Sequence, residues 1–301
     1  MRTRTKIALA RAIRSGLRAA ATPWGGLPAE VRREGVRWTI DWDDGIELSI
    51  ALLGGFERRV QRACRARLPQ GGVALDVGAN VGAIALPLAA HVGAEGVVHA
   101  FEPTVRGVER LGENLSLNPE LRSRVVVNNA FVGTRDSVAP RDLPARWPVS
   151  GGSIENAAGH GGVACPTDGA VTLALDDLLE SGSLPRVDLI KLDVDGHEAS
   201  VLEGSARLLA DHRPPIVMEL APDAHDEVDP TGFRRMLEIV SGAGYRLRDL
   251  RGRSMPCEEA HLRSRIPRGS GCNVVAEHPE GSHPRTAKRE VKASPERTGD
   301  R

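Results

Sequence analysis

Residues 73–86 read VALDVGANVGAIAL. Val73, Leu75 and Val77 supply the alternate apolar positions of a buried strand, and Gly78-Ala79-Asn80-Val81-Gly82 turns the chain into a helix. A strand that passes through a glycine turn into a helix is the opening unit of an open α/β sheet. The pattern then repeats. Short apolar strands alternate with helical stretches at 73–77, 81–91, 97–101, 105–118, 125–128, 187–193, 199–209, 215–220, 232–243, 245–250 and 272–276. That alternation predicts a mostly parallel sheet with helices on both faces. Aromatic residues make up only 3% of the chain, so aliphatic side chains and alanine must fill the core.

The flanks follow other rules. Residues 1–36 form a basic arm in which Arg2, Arg4, Lys6, Arg11, Arg14 and Arg18 alternate with Ile7, Leu9, Ile13 and Leu17. Its apolar stretch is too short and interrupted for a secretory signal. The expectation is a loose surface helix or frayed arm, with docking to a membrane surface or partner as the alternative. Residues 37–70 read as a unit packed on the core. It holds two short strands over 37–53 around an Asp43-Asp44-Gly45 turn, then an amphipathic helix carrying Phe56, Val60, Ala63, Cys64 and Arg67 and ending before Pro69. The main domain spans 71–276, and the polar, proline-bearing segment 277–301 is expected to be disordered. Within the main domain, 132–170 breaks the rhythm. It is rich in Gly, Pro, Ser and Ala, and a connection of that length covers a site or is mobile.

Composition excludes little but directs the reading. The formal net charge is zero, which gives no argument for a nucleic-acid partner. Cys64, Cys165, Cys257 and Cys272 form no CxxC pair and no zinc spacing, and are read as free thiols of a reducing cytoplasm. No apolar run approaches the ~18–20 residues of a membrane span. A cytoplasmic protein is expected.

Two kinds of cofactor use a corner like that at 73–86. Dinucleotides need Gly-x-Gly-x-x-Gly so that a pyrophosphate can rest on the helix N-terminus; here Asn80 and Ala83 stand at the second and third glycine positions. S-Adenosylmethionine carries no phosphate, and its ammonium and sulfonium are cationic. An acid just before the turn suits it, and Asp76 is there. Asn80 is a good N-cap, and Pro87 should kink or shorten the helix. Glu102 ends the second strand about twenty residues past the glycine loop, where it can accept hydrogen bonds from ribose hydroxyls. After the third strand, Asn128-Asn129 either meets the adenine edge or simply closes the turn.

The segments LDVGANVG, FEP, ENLSLN, LALDDLL, IKLDVDGHEASVLEGS and PPIVMEL together resemble the FkbM-type S-adenosylmethionine-dependent methyltransferases, over roughly residues 56–276. The resemblance implies the Rossmann-like class I methyltransferase fold, with a mostly parallel seven-stranded sheet. It implies cofactor roles for Asp76, Gly78, Asn80, Gly82 and Glu102, to which Asn129 is added as the candidate at the adenine. Phe56-Glu57 matches a family feature before the first strand; Thr104 stands where the family often has asparagine. The activity implied is O-methylation of a hydroxyl on a sugar, polyketide or other specialised metabolite.

Methyl transfer to oxygen needs alignment of oxygen, methyl and sulfur, and removal of the hydroxyl proton. IKLDVDGHEASVLEGS (190–205) lies on the fourth strand, expected beside the first. Asp193 ends that strand at the edge where the cofactor should lie. Lys191 points to the same side and is expected to pair with a carboxylate. His197 titrates near neutrality when unperturbed, which makes it a candidate base. Glu219 ends the next strand. The catalytic candidates are therefore Asp193, His197, Lys191 and Glu219. Asp195 and Glu198 are expected to hold the corner, and Asp193, Asp195 and Glu219 are the candidate ligands if Mg²⁺ is bound. Asp176-Asp177 reads as a strand end and helix cap. Two other functions compete: a nicotinamide-dependent oxidoreductase, disfavoured by Asp76, Asn80 and Ala83, and a non-catalytic scaffold built on a cofactor fold.

Overall fold

The computed structural model describes residues 26–149 and 162–281, with residues 12, 14–16 and 19 of the arm. The rest of the arm, residues 150–161 of the long connection and the tail beyond 281 lie outside the described residues.

A hairpin comes first: β1 (Glu30–Arg33) pairs antiparallel with β2 (Val36–Thr39), so the pairing bridges the boundary expected at 36/37. The second strand expected within 37–53 is instead a helix, α1 (Gly45–Leu53). Asp44 decides this, because its carboxylate accepts the N–H groups of Ile46 and Glu47 and caps the first turn. Ile46 and Ile50, one turn apart, are both buried. The pattern Ile46, Leu48, Ile50 also fits a strand, and only the cap breaks the tie. Next comes α2 (Arg58–Arg65).

The first half of the main domain runs β3 (Val73–Val77), α3 (Ala85–Val92), β4 (Val97–Phe101), α4 (Val105–Ser116) and β5 (Val125–Asn128). The long connection holds β6 (Ala130–Val132), β7 (Asp142–Arg146), β8 (Val163–Pro166), β9 (Val171–Leu173) and α5 (Leu175–Glu180). The second half begins with β10 (Leu189–Leu192), α6 (Glu198–Glu203), α7 (Ala206–His212), β11 (Ile216–Leu220) and α8 (Pro222–Val228). It closes with α9 (Gly232–Gly242), β12 (Arg246–Asp249), β13 (Ser254–Met255), α10 (Glu259–Arg265) and β14 (Cys272–Glu277).

The central sheet has the order β13-β12-β14-β11-β10-β3-β4-β5. Its five strands from β11 to β5 are parallel, and β14 runs antiparallel between β11 and β12. The two residues of β13 add an eighth strand to the seven expected. From β3 the chain proceeds outward to β4 and β5, then returns to lay β10 on the other side of β3. Strand order therefore reverses between β3 and β10, and open α/β sheets bind ligands at such a switch point.

Both faces of the sheet are buried, as a parallel sheet requires. Ala74, Val98, Ala100 and Val217 pack one face against Leu86, Leu88 and Leu111; Leu75, Val77, Leu192 and Met218 pack the other against Leu202, Leu209 and Phe233. Each fully buried leucine or isoleucine here contributes about 1.5–3 kcal/mol. α3 starts only at Ala85, so Pro87 falls in the first turn, where its missing N–H leaves no bond unmade. The helix expected at 199–209 is two helices, α6 and α7, with Gly204-Ser205 between them. Asp176 accepts the N–H groups of Arg207 and Leu208, so it caps α7 from outside.

Candidate active site

A cavity of about 340 Å³ opens above the C-terminal ends of β3, β4, β10 and β11, in the size range of small-molecule sites. The described part of the 132–170 connection roofs it through Leu143, Pro144 and Trp147. That roof is latched to the start of α1: Gly45 N–H donates to Trp147 O at 2.9 Å, and Val149 N–H to Asp43 O at 2.8 Å.

At the floor, β3 and β10 run in register, with Asp76 beside Lys191. Lys191 is 4% exposed and Asp76 is fully buried. Lys191 Nζ lies 3.5 Å from Asp76 Oδ1 and 3.4 Å from Asp193 Oδ2, and donates to Gly78 O at 3.3 Å. Burial disfavours the ammonium, but the Asp193 and Asp76 charges outweigh it and raise the lysine above its ordinary value. Lys191 is thus a fixed cation, unable to serve as a base near neutrality. Burial pushes Asp76 up to about 6 against the pull of Lys191.

Gly78 follows, with φ +84°, and a Cβ there would stand 1.9 Å from Asp193 O. Its glycine identity is therefore first a packing requirement between the two loops that line the cavity. Asn80 does not cap α3. It sits at φ +47°, before the helix begins, and its Nδ2 donates to Ala145 O at 3.2 Å, tying the glycine loop to the roof. Its Oδ1 is buried without a hydrogen-bond partner, and the residue lines the cavity. Gly82 lies away from the cavity, against Leu111 and Leu86.

Glu102 directly follows β4 and is held from two sides. Oε2 accepts the Asn80 N–H at 2.8 Å, and Oε1 accepts the Thr104 N–H at 2.9 Å and its hydroxyl at 2.5 Å. Thr104 caps α4 by accepting the Gly107 N–H, so threonine at this position performs a helix-start role. Burial raises the Glu102 carboxyl above its ordinary value, against these donors. Asn129 is not among the cavity-lining residues.

The far end of the cavity is lined by Phe56, Glu57, Phe131, Asp193, Val194, Asp195, His197 and Glu219. His197 meets Phe131 edge-on at 5.2 Å, and burial lowers its pKa, which keeps the imidazole neutral. Burial and the surrounding carboxylates raise both Asp195 and Glu219 far above the usual range. Glu57 receives the Asn273 Nδ2 amide at 3.2 Å. Asp195 stands in the left-handed region at φ +48°. Behind it, Glu198 accepts the N–H groups of Val194 and Gly196, both at 3.0 Å, which is the corner-holding role expected of it.

The structure thus brings Gly78, Asn80, Glu102, Lys191, Asp193, His197 and Glu219 to one cavity and leaves Asp76 and Gly82 beneath it. Among the described residues, no three His, Cys, Asp or Glu side chains converge as a metal site. The expectation of Mg²⁺ on Asp193, Asp195 and Glu219 is therefore not supported: these carboxylates line one wall without closing on a common point. The sequence reading expected the 132–170 connection to cover a site or be mobile, but did not single out Leu143, Pro144 or Trp147. A tryptophan inside a Gly- and Pro-rich connection was the available signal, since the whole chain has only four.

The chain is similar to several known proteins. The methyltransferase FkbM domain matches residues 76–247, more than half the chain. The hexuronic acid methyltransferase AglP of Haloferax volcanii is 28% identical over 218 residues, which cover 69% of this chain and 78% of that protein. Among solved structures, a methyltransferase FkbM from Methylobacillus flagellatus KT aligns with a TM-score of 0.42 and 17% identity over 70% of this chain; the chain spans 44% of that protein. An O-methyltransferase from Bacillus cereus in complex with SAH aligns with a TM-score of 0.42 and 15% identity, over 72% of this chain and 78% of that one. Among the described residues no helix is long and apolar enough to cross a membrane. With its glycine loop, its acid after β4 and its domain match in agreement, the chain belongs to the FkbM methyltransferase family.

Proposed function

We propose that the protein transfers a methyl group from S-adenosylmethionine to a hydroxyl of a sugar, polyketide or other specialised metabolite. One observation carries the reading. Glu102, the glycine-loop residues Gly78 and Asn80, and Asp193 and His197 all line a single cavity. The lining suits a cationic cofactor, with Glu57, Glu102, Asp193, Asp195 and Glu219 set against one lysine. Glu102 would hold the ribose and Asn80 Oδ1 would accept a donor beside it. The Asp193 end would receive the positively charged methionine portion. The cofactor, when bound, supplies an activated methyl group on a good leaving group.

The chain's own residues then align the acceptor and take its proton. Lys191 stays protonated and holds Asp193 in place. Asp193, ion-paired at the cavity edge, and the neutral His197 are the two groups positioned to receive the proton. The Haloferax relative is named for a hexuronic acid, a sugar with both hydroxyls and a carboxylate, which supports a sugar-type acceptor. The test uses cofactor labelled in its methyl group with hydroxylated acceptors, followed by mild alkali. Label retained as an alkali-stable ether is expected, and label released as methanol would replace the ether reading with ester formation. If the protein binds NADH but not S-adenosylhomocysteine in calorimetry, the methyltransferase reading fails altogether.

A further inference from the structure

His225 has no place in the chemistry above, yet it is fully buried in α8. Neither ring nitrogen makes an aligned hydrogen bond among the described residues. A buried polar ring in that state needs a reason. Its polar neighbour is Glu198, whose Oε2 lies 3.1 Å from His225 Nε2. Glu198 in turn holds the N–H groups of Val194 and Gly196, the turn that carries Asp193 and Asp195 into the cavity.

That turn needs holding. Asp195 is a non-glycine residue at φ +48°, a conformation that persists only where its surroundings over-determine it. α8 presses on the same turn from behind: a Cβ on Gly196 would stand 2.5 Å from Ala224 O, in the residue before His225. The other side of His225 is fixed by Phe233, with ring centroids 5.4 Å apart. α8 also follows β11 directly, so the helix that backs the turn continues from the strand that carries Glu219.

From this geometry we infer that His225 is a positioning residue: through Glu198 it sets the Asp193–Gly196 turn and fixes the spacing of the carboxylates on the far wall. The inference rests on the site proposed above, but it is tested apart from it. His225→Leu replaces the imidazole with an apolar side chain of comparable size between Glu198 and Phe233. A purely structural histidine without aligned bonds predicts a variant at least as stable as the wild type and otherwise unchanged. The positioning role predicts the same melting temperature or a higher one, with faster hydrogen exchange at the Val194 and Gly196 amides and affinity for S-adenosylhomocysteine reduced about tenfold. His225→Gln, which offers an amide N–H near the same place, should restore both.

Unchanged exchange at the turn in a folded His225→Leu protein overturns the inference, as does His225→Gln behaving no better than His225→Leu. Should wild-type protein fail to bind S-adenosylhomocysteine, the cofactor reading is what falls, and the exchange rates at Val194 and Gly196 still decide the role of His225.

Discussion

Lys191→Met removes the buried cation of the cavity floor while keeping most of the side chain's volume. In the wild type, Lys191 faces Asp76 and Asp193 at 3.5 and 3.4 Å. Taking one partner from a buried ion pair destabilises by about 3–5 kcal/mol, because the remaining charge stays buried without compensation. The pH dependence distinguishes this from lost packing. Asp76 sits at about 6 in the fold against 3.8 unfolded, so the folded chain binds that proton more tightly. The resulting destabilisation is absent below the unfolded value, grows as pH rises, and is complete above the folded value, where it amounts to about 3 kcal/mol even with Lys191 present. Lys191 lowers the Asp76 value, so its loss raises that value further and extends the window upward. Urea denaturation should show Lys191→Met weaker than wild type by about 3–5 kcal/mol at pH 8, with the gap shrinking towards pH 5. Asp76→Asn added to Lys191→Met should recover most of the loss at pH 8. An equal loss at pH 8 and pH 5, or a double variant no more stable than the single one, would refute the ion-pair account.

Three further outcomes are expected. Glu102→Gln should weaken S-adenosylhomocysteine binding by about 10–100-fold, the value of a hydrogen bond to a charged group, with the far-ultraviolet spectrum unchanged; wild-type affinity would remove the ribose role. Asp44→Ala should cost about 1 kcal/mol through the lost α1 cap, seen as a melting temperature lower by a few degrees, and an unaltered melting curve would show that the cap does not secure the roof's anchor. S-Adenosylmethionine should release more protons on binding at pH 7.5 than S-adenosylhomocysteine does. Its sulfonium favours ionisation of Asp195 and Glu219, which burial has raised; calorimetry in buffers of different ionisation enthalpy measures the difference, and equal proton counts would place the sulfonium away from that wall.

How far the sequence displayed this site depends on which forces fix each part. β3, β4, β10 and β11 were legible because a strand buried on both faces must be largely apolar, and each is apolar but for one residue: Asp76, His99, Lys191 and Glu219. Glu102, Asp193 and Glu219 were legible as acids that end such strands. The helix at 45–53 was not, since Ile46, Leu48 and Ile50 fit two periods and Asp44 alone chooses. The residues of the roof were hidden for a different reason. β7 and β8 hold each other across a connection poor in apolar pattern, and the segment of Trp147 is latched by backbone bonds, Gly45 N–H to Trp147 O and Val149 N–H to Asp43 O, that no local signal announces. His225 was invisible because its partner is Glu198, a contact made by the sheet order and not by spacing along the chain.

The glycine loop now separates the two cofactor readings on physical grounds. A pyrophosphate needs free N–H groups converging at a helix start. Here Gly78 and Ala79 both donate to Phe101 O at 3.0 Å, Asn80 donates to Glu102, and Gly82 donates to Ala79 O at 2.8 Å. Four of the loop's five N–H groups are thus engaged by β4, by Glu102 and by the loop itself, and α3 begins only at Ala85. A dinucleotide would have to displace the Asn80–Glu102 bond and face the negative charges of Glu102 and Asp193 with Lys191 already engaged. A cationic cofactor needs none of these donors and gains from the same carboxylates. The loop that resembled both kinds of site in sequence thus offers few free donors to a phosphate, which is the arrangement expected under the proposed cationic cofactor.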